Sequence, residues 1–296
     1  MTIETNLTAD PFEMAECPAC PGVPSRVWLD GGDGTCYVRC ISCGTIYASP
    51  RASHASRYAW LDERFSVGEN AFQNAQARQP ALEQIAGILK TYVTRGALLD
   101  IGCDLGHFFE YFQGAFWKRF GVELSPSAAD YASKTFDASV HAGAIADVPF
   151  SNAFFDLVTM LDMFYHLENP RGDLETVARI IKPGGYLAVE VSGLSYYLLR
   201  SIGIISLLVD RKWTRLDSNS VYLFYFTPGG LRKLIEECGF EVVSASVINS
   251  PVSSKPLRDM ISAGYGSLMR FLSRVSLYWL NWAPKYLLVA RRKKEP

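Results

Sequence analysis

Four cysteines near the amino terminus have types and spacing that could bind a metal ion. Cys17-x-x-Cys20 is followed by nineteen residues and then by Cys40-x-x-Cys43. Two such pairs are typical of a zinc ribbon, in which each pair forms a tight turn that presents two thiolates to one side. Four thiolates complete a closed tetrahedral site, so the sequence predicts a structural Zn²⁺ held by these residues. Cys36 lies nearby, and we interpret it as a spare buried thiol.

A second chemical signal lies in the stretch Ala97-Leu-Leu-Asp-Ile-Gly-Cys-Asp-Leu-Gly106. An apolar run containing Asp100 is followed by two glycines, Gly102 and Gly106. This pattern predicts a buried strand and a tight turn, because glycine allows unusual backbone angles and the close approach of a ligand. Glu123 follows Asp100 by 23 residues, at the end of another apolar run. An acid at about this distance is the ribose ligand of nucleotide-binding α/β folds.

Two further motifs extend this pattern along the chain. Asp100-x-Gly-x-x-x-Gly106 and Glu123 are followed by Phe155-Asp-Leu-Val158 and Ile181-Lys-Pro-Gly-Gly-Tyr-Leu187. Over about residues 80–248, the four motifs resemble the class I S-adenosylmethionine-dependent methyltransferases. The resemblance implies an α/β fold with a Rossmann-like, seven-stranded sheet, and S-adenosylmethionine as the cofactor.

The resemblance also implies which residues surround the cofactor. Asp100 would anchor the turn and help to hold the amino-acid end, while Glu123 would take both ribose hydroxyls. Two positions depart from the family pattern: Asp104 stands where a second glycine is usual, and Ala144 where an acid is usual. We therefore expect backbone groups to hold adenine, and whether Asp104 assists or obstructs the cofactor stays open. The expected set is Asp100, Gly102, Cys103, Asp104, Gly106, Glu123, Leu124, Ala144, Ile145, Leu161 and Asp162.

Two candidate catalytic residues follow the predicted strand Phe154–Leu161. His166 is the better candidate for a general base, because imidazole titrates near neutral pH. Tyr165 beside it is a weaker candidate. Methyl transfer from a sulfonium mainly requires donor and acceptor to be held in line. Packing, or contact with the cofactor, is therefore the competing role for His166.

The chain divides into parts of different composition. We predict the following parts: a polar, mobile leader (1–16), the zinc ribbon (17–50), a helical linker or lid (51–79), and a methyltransferase domain (80–296) with insertions at 192–225 and 249–285. A helix is expected to begin at Pro80, since proline is favoured in a first turn. We expect the ribbon and the sheet domain to have separate cores, with the ribbon covering the active site.

The charge of the chain is unevenly distributed. The net charge is −1, yet from Lys255 onward nine Lys and Arg face only Asp259 and Glu295. The aromatic and basic stretch 270–285 predicts a helix that either packs on the sheet domain or lies at a membrane interface. The second alternative implies peripheral membrane contact through residues 249–296. The polar opening residues and the lack of a long apolar run predict a cytoplasmic protein, at the inner face of the membrane if that contact is made.

Three functional hypotheses follow. The first is methyl transfer from S-adenosylmethionine to a small-molecule, sugar or lipid-linked glycan acceptor. The second is RNA methylation with the ribbon as an RNA grip, but residues 17–50 contain only Arg26 and Arg39 as basic residues, which argues against a nucleic-acid partner. The third is an inactive cofactor-binding scaffold for a partner enzyme, suggested by Asp104 and Ala144. The acceptor atom and the oligomeric state stay open.

Overall fold

A computed structural model describes residues 12–30, 36–52, 69–193, 222–248 and 285–294. Most of the predicted leader, most of the linker and most of both insertions therefore lie outside the described residues. The same is true of the aromatic and basic helix predicted at 270–285, except that Lys285 belongs to a strand rather than to that helix. In the part of the chain that the structure describes, no helix is both long and apolar enough to cross a bilayer.

The described residues form thirteen strands and four α-helices. The strands are β1 (Phe12–Glu13), β2 (Ser25–Asp30), β3 (Cys36–Cys40), β4 (Ile46–Ala48), β5 (Arg51–Ala52), β6 (Gly96–Ile101), β7 (Trp117–Glu123), β8 (Ser139–Ala142), β9 (Phe155–Leu161), β10 (Ile181–Ser192), β11 (Phe224–Tyr225), β12 (Phe240–Ile248) and β13 (Lys285–Arg292). The helices are α1 (Glu69–Leu89), α2 (Pro126–Phe136), α3 (Pro170–Ile180) and α4 (Pro228–Glu237).

The central sheet has seven strands in the order β8-β7-β6-β9-β10-β13-β12. The first five strands in this order, β8, β7, β6, β9 and β10, pair in parallel with their neighbours. Strand β13 runs antiparallel to both β10 and β12. Along β6, Leu98 and Leu99 belong to two different buried clusters, because successive side chains point to opposite faces of a sheet. The predicted Rossmann-like α/β fold with a seven-stranded sheet is confirmed.

Three of the helices begin with the same local signature. Ser125, Asn169 and Thr227 each precede a proline, and each side chain accepts a hydrogen bond from the backbone N–H three residues further on. Such caps satisfy one of the free N–H groups at a helix start, and proline fits the first helical position because its missing N–H would be unpaired there. The sequence therefore specifies where α2, α3 and α4 begin.

Helix α1 begins earlier than the sequence suggests. The predicted start at Pro80 is wrong: the helix starts at Glu69 and contains Pro80 in its interior. A proline inside a helix forfeits one backbone hydrogen bond. The burial of Ile85 and Leu89 in the same cluster as Leu98 provides the tertiary packing that holds the helix on the sheet.

The aromatic run after Gly106 forms a short 3₁₀ helix, His107–Phe112, rather than the start of an α-helix. Phe108, Phe109 and Phe112 are all buried. 3₁₀ helices of this length are uncommon, and here the burial of the three phenylalanines in one cluster with residues of α1 and β6 supports it.

The ribbon, residues 17–50, contributes β2, β3 and β4 to a separate four-stranded sheet. The fourth strand is β11, which comes from the insertion between β10 and α4 and pairs antiparallel with β4. The expectation of separate cores is wrong. Cys17, Cys40 and Tyr47 lie in one buried cluster with Phe224 and Leu231 of the sheet domain.

Candidate functional site

The glycine turn lies at the carboxyl end of β6, where open α/β sheets bind their ligands. Gly102 has φ +71°, and a Cβ at this position would lie 2.9 Å from the Cβ of Met163. Gly106 has φ +80°, and a Cβ there would lie 2.8 Å from the Cβ of Ala132. Both positions thus require glycine for conformation and for space. Asp104 also has a left-handed backbone, with φ +50°.

Glu123 is joined to this turn by hydrogen bonds. Its Oε2 accepts from the backbone N–H of Asp104 at 2.9 Å, and its Oε1 accepts from the backbone N–H of Ser125 at 2.9 Å. Burial raises the pKa of this carboxyl, although these two backbone donors oppose the shift. A carboxylate has about four acceptor positions, so two remain for further donors such as ribose hydroxyls.

Asp100 lies beneath the turn. The side chain is buried, and its Oδ1 accepts a hydrogen bond from Thr159 Oγ1 at 2.6 Å. Burial raises the pKa of Asp100 to about 7, and the Thr159 bond and the charge of Arg78 only partly offset this effect. Asp100 is therefore poised to ionise near neutral pH when a cation approaches.

A pocket opens between this turn and helix α1. It encloses about 430 Å³ of empty space, its open mouth included. Ala75, Arg78 and Leu82 lie on one face of α1 and form one wall, so the helix acts as the side of the site rather than as a distant linker. The wall consists of Ala75, Arg78, Leu82, Asp100, Gly102, Cys103, Asp104, Leu105, His107, Phe108 and Leu161.

Five of the predicted cofactor residues thus line the pocket: Asp100, Gly102, Cys103, Asp104 and Leu161. Gly106, Glu123, Leu124, Ala144, Ile145 and Asp162 lie outside its described wall. Glu123 and Asp162 nevertheless bond to wall residues. Ala144 is exposed in extended backbone, and the Gly143 N–H donates to the Glu123 carbonyl oxygen at 2.9 Å. The expected adenine position therefore remains next to Glu123.

A network of four charged side chains adjoins the pocket. Arg78 donates to Asp162 Oδ2 and to Glu190 Oε2, both at 2.6 Å. Lys285 forms an ion pair with Asp162, and its Nζ lies 3.6 Å from Glu190 Oε1. Burial disfavours a charge on Asp162, but Lys285 and Arg78 hold its pKa well below the usual value. Asp162 is therefore ionised at neutral pH.

Arg78, Glu190 and Lys285 belong to the site but were not among the residues predicted from the sequence. Glu190 carried a signal, because it is an acid within the apolar run Leu187–Val191 near the carboxyl end of β10. Arg78 and Lys285 carried none, since they come from segments far apart in the chain and meet only in the folded protein.

The two candidate catalytic residues lie beside Asp162. The Tyr165 hydroxyl donates to Asp162 Oδ1. Tyr222 packs its ring 4.4 Å from that of Tyr165 and stacks on the ring of His166 at 5.1 Å and 23°. The three rings form what we call the aromatic wall: Tyr165, His166 and Tyr222. Asp162 joins this wall to the pocket, because its Oδ1 accepts from Tyr165 and its Oδ2 accepts from Arg78, which lines the pocket.

The four predicted metal ligands converge. The sulfurs of Cys17, Cys20, Cys40 and Cys43 all lie within 4.8 Å of one another, and those of Cys17 and Cys43 are 3.5 Å apart. Zn–S bonds of about 2.3 Å in a tetrahedron separate the sulfurs by about 3.8 Å. The donor set and its spacing therefore fit a tetrahedral S₄ metal site. The hydrogen bond from Cys17 lowers the pKa of Cys43 to about 4, which favours a thiolate.

The metal-ligand cluster sits directly on the sheet domain. Lys233 of α4 donates to the Cys20 sulfur at 3.2 Å, and Thr227 Oγ1 donates to the carbonyl oxygen of Cys43 at 2.7 Å. A Cβ on Gly230 would lie 2.4 Å from Thr45 Oγ1, so the start of α4 and the ribbon are in close contact. The ribbon is thus fastened next to the carboxyl-end loops of the sheet.

Comparison with known proteins identifies one family. Residues 73–245, more than half of the chain, match a family model described as a methyltransferase domain. A ubiquinone biosynthesis O-methyltransferase of Burkholderia vietnamiensis is 32% identical over 113 residues, which are 36% of this chain and 49% of the relative. An erythromycin 3''-O-methyltransferase of Saccharopolyspora erythraea is 28% identical over 172 residues, covering 49% of this chain and 54% of that protein.

The chain thus spans about half the length of these curated relatives. Among solved structures, the 1,6-didemethyltoxoflavin-N1-methyltransferase of Burkholderia thailandensis, solved with S-adenosylhomocysteine, aligns with a TM-score of 0.56. The alignment covers 91% of this chain and 99% of that one, at 13% identity. At this identity the likeness concerns the fold alone.

Proposed function

Because the chain belongs to the family of methyltransferase domains, we propose that it transfers a methyl group from S-adenosylmethionine to a small-molecule or sugar acceptor, which includes a lipid-linked glycan. The observation that carries this proposal is the bond between Glu123 and Asp104, a residue of the glycine turn that lines the pocket. A turn shaped for close approach and an acid with free acceptor positions are what a nucleoside ligand requires.

The charges around the pocket match the charges of the proposed cofactor. S-adenosylmethionine, when bound, supplies an activated methyl group on a positively charged sulfur, and it also carries an ammonium and a carboxylate. Asp100 and Asp104 line the pocket as acids suited to the positive groups, and Arg78 lines it as a cation suited to the carboxylate. Glu123 would accept hydrogen bonds from the ribose hydroxyls.

Asp104 fits this role better than that of an obstruction. Its left-handed backbone is the conformation that a glycine would adopt there, and aspartate tolerates this conformation better than most residues. Its N–H still reaches Glu123. The turn therefore keeps its binding shape, which weighs against an inactive scaffold.

The residues on the acceptor side would mainly orient the acceptor. Displacement at a sulfonium forms the bond from acceptor to methyl carbon and breaks the carbon–sulfur bond, so alignment accounts for most of the catalysis. An acceptor hydroxyl also loses its proton. His166, and Tyr165 through its bond to Asp162, are the side chains that we propose to hold or accept that proton.

The acceptor class rests on the relatives and on the ribbon. Both curated relatives named above are O-methyltransferases by name. RNA is the weaker alternative, because the ribbon carries Arg26 and Arg39 as its only basic residues and is packed against the sheet domain. A cytoplasmic location and peripheral membrane contact remain expectations of the sequence.

We propose that Zn²⁺ occupies the Cys17, Cys20, Cys40 and Cys43 site, where a closed S₄ set gives it a purely structural role. Elemental analysis should find about one zinc per chain. A protein free of metal, whose four thiols react freely while it is folded, contradicts the assignment.

The function can be tested without knowing the acceptor. Calorimetry with S-adenosylhomocysteine should give saturable one-to-one binding. Incubation with labelled S-adenosylmethionine and fractionated cell extract should then transfer label to a small molecule, which mass spectrometry identifies. Absence of binding by the metal-loaded protein refutes the cofactor proposal. Label found in RNA rather than in a small molecule refutes the acceptor class.

A further inference from the structure

We propose that the ribbon positions the acceptor side of the site, and that Tyr222 is the residue through which it does so. The proposal rests on the function proposed above, because it concerns the acceptor side of that same site. Metal binding by the ribbon would then determine how the acceptor is held, while leaving the cofactor turn in place.

The first link is the strand that the ribbon shares with the sheet domain. Phe224 and Tyr225 of β11 pair with Tyr47 and Ile46 of β4. The Ala48 N–H also donates to the carbonyl oxygen of Leu223 at 3.0 Å. Among the described residues, β4 is the only strand that pairs with β11. The backbone pairing that holds β11 as a strand is therefore supplied by the ribbon.

The second link runs from this strand to the aromatic wall. The Leu223 N–H donates to the carbonyl oxygen of Tyr165 at 2.9 Å, so one residue bonds to the ribbon with its carbonyl and to the wall with its amide. Tyr222, immediately before it, packs on both Tyr165 and His166. A displacement of β11 would therefore move a ring of the wall and release a backbone bond to it.

The third link reaches the pocket. The Tyr165 hydroxyl donates to Asp162, and Asp162 accepts from Arg78, which lines the pocket. The wall consequently lies next to the pocket without forming part of its described lining. A group held against this wall would be placed on the acceptor side, and a flat or ring-shaped acceptor that stacks on aromatic side chains is the class that it suits.

The fourth link connects the wall to the metal site. The carbonyl of Cys43 accepts from Thr227, which lies two residues after β11 and caps α4. Lys233 holds the Cys20 sulfur from the same helix. A ribbon of this size has little core of its own and depends on its metal for much of its folding free energy. Loss of the metal would thus remove β4 as the partner of β11, whereas the β6 turn and Glu123 make none of these contacts.

Hydrogen exchange measured by mass spectrometry on the full chain tests the coupling. Zinc is removed with a chelator under reducing conditions and then restored. We expect peptides covering 163–168 and 222–227 to exchange about tenfold faster or more without zinc, and to recover when it is restored. Peptides of β6 and β7 should exchange more slowly than peptides 163–168 and 222–227. The affinity for S-adenosylhomocysteine should stay within about threefold of that of the zinc-loaded protein.

The substitution Tyr222→Ala in the zinc-loaded protein separates the effect of the Tyr222 ring from the effect of the metal. Peptide 163–168 should again exchange faster, while the zinc content and the protection of residues 36–48 remain unchanged. Tyr92→Ala removes a ring packed on Tyr186, away from the wall, and should leave peptide 163–168 unchanged.

Two outcomes overturn the proposal. The first is that the exchange of peptide 163–168 does not change, either on zinc removal or in Tyr222→Ala. The second is that β6, β7 and peptide 163–168 all exchange faster by the same factor, which would mean that the ribbon stabilises the whole protein. Failure of the zinc-loaded protein to bind S-adenosylhomocysteine is a separate result, and it counts against the proposed function instead.

Discussion

Asp104 combines two properties at one position: a left-handed backbone and a half-buried carboxyl group. For residues other than glycine, the left-handed conformation costs about 1–2 kcal/mol, and burial raises the pKa of the Asp104 carboxyl. The bond to Glu123 comes from the backbone and would also be made by glycine. The side chain adds a hydrogen bond from the Leu105 N–H and a negative charge near Arg78 at the pocket wall. The side chain therefore has its best explanation in the charge that it adds to the pocket.

Asp104→Asn tests that explanation. The substitution keeps size and backbone but removes the charge, so we expect it to weaken S-adenosylmethionine more than S-adenosylhomocysteine, which lacks the positive sulfonium. Competition calorimetry measures the two affinities. Asp104→Gly serves as the companion variant: tighter binding of both ligands would mean that Asp104 obstructs the site.

Glu123→Ala should weaken S-adenosylhomocysteine by about tenfold or more. Two hydrogen bonds to a charged group are worth about 1.5–3 kcal/mol each, and the variant also leaves the N–H groups of Asp104 and Ser125 without their acceptor. Isothermal calorimetry gives the dissociation constant. The exposed Glu241 provides a control, since Glu241→Ala should change nothing. An unchanged affinity of Glu123→Ala would show that the ribose assignment is wrong.

Asp100 should make cofactor binding depend on pH. Burial raises its pKa to about 7, so in the free protein the group is about half protonated at pH 7. A bound ammonium favours the ionised form, and binding therefore releases protons. We expect affinity to fall as the pH drops below about 7 and to be flat above about 8. Calorimetry in buffers of different ionisation enthalpy measures the release. Asp100→Asn should abolish it, and a pH-independent affinity of the unmodified protein refutes the role.

At the level of elements, the sequence contains local signals for the starts of three helices, but none for the pairing that joins the ribbon to the sheet domain. Each of the helices α2, α3 and α4 begins at a capping residue followed by proline, which can be recognised in the sequence. The strands that carry the family motifs can be recognised as apolar runs. Strand β11 could not be predicted, because it has two residues and exists only through its pairing with β4. Helix α1 was mispredicted because tertiary packing outweighs the local cost of Pro80.

Helix α1 is tied to the sheet by Arg78. This one side chain bonds to Asp162, which follows β9, and to Glu190 near the end of β10. Without it, Lys285 is the one cation that pairs with these two acids among the described residues. Removing one partner from a buried ion pair costs about 3–5 kcal/mol, and the part-exposed Arg78 should cost less. We expect Arg78→Gln to lower Tm and to speed exchange in α1. Arg95→Gln, at an exposed position, is the control. If both variants have the same Tm, Arg78 does not hold α1 on the sheet.

At the level of the whole molecule, the sheet domain and the ribbon were each predictable, but their union was not. The CxxC pairs specify the metal ligands, and four motifs in order specify the fold. The shared core depends on packing between Tyr47, Phe224 and Leu231, which no spacing along the chain reports. The charged network of Arg78, Glu190 and Lys285 was missed for the same reason. Contacts between side chains that are far apart in the chain are the features that a single sequence predicts least well.

The shared core changes what loss of the metal site should do. With separate cores, Cys17→Ser would loosen residues 17–50 and leave the melting of the sheet domain unaltered. Because Cys17 and Cys40 are buried together with sheet-domain residues, we expect the whole protein to melt at a lower temperature. A loss of about 2 kcal/mol lowers Tm by about 4–8 °C in a chain of this size. Calorimetric scans should show the shift for Cys17→Ser but not for Cys36→Ser, whose thiol lies outside the metal cluster. If the ribbon of Cys17→Ser unfolds in a separate transition and the Tm of the sheet domain does not change, the two parts have separate cores.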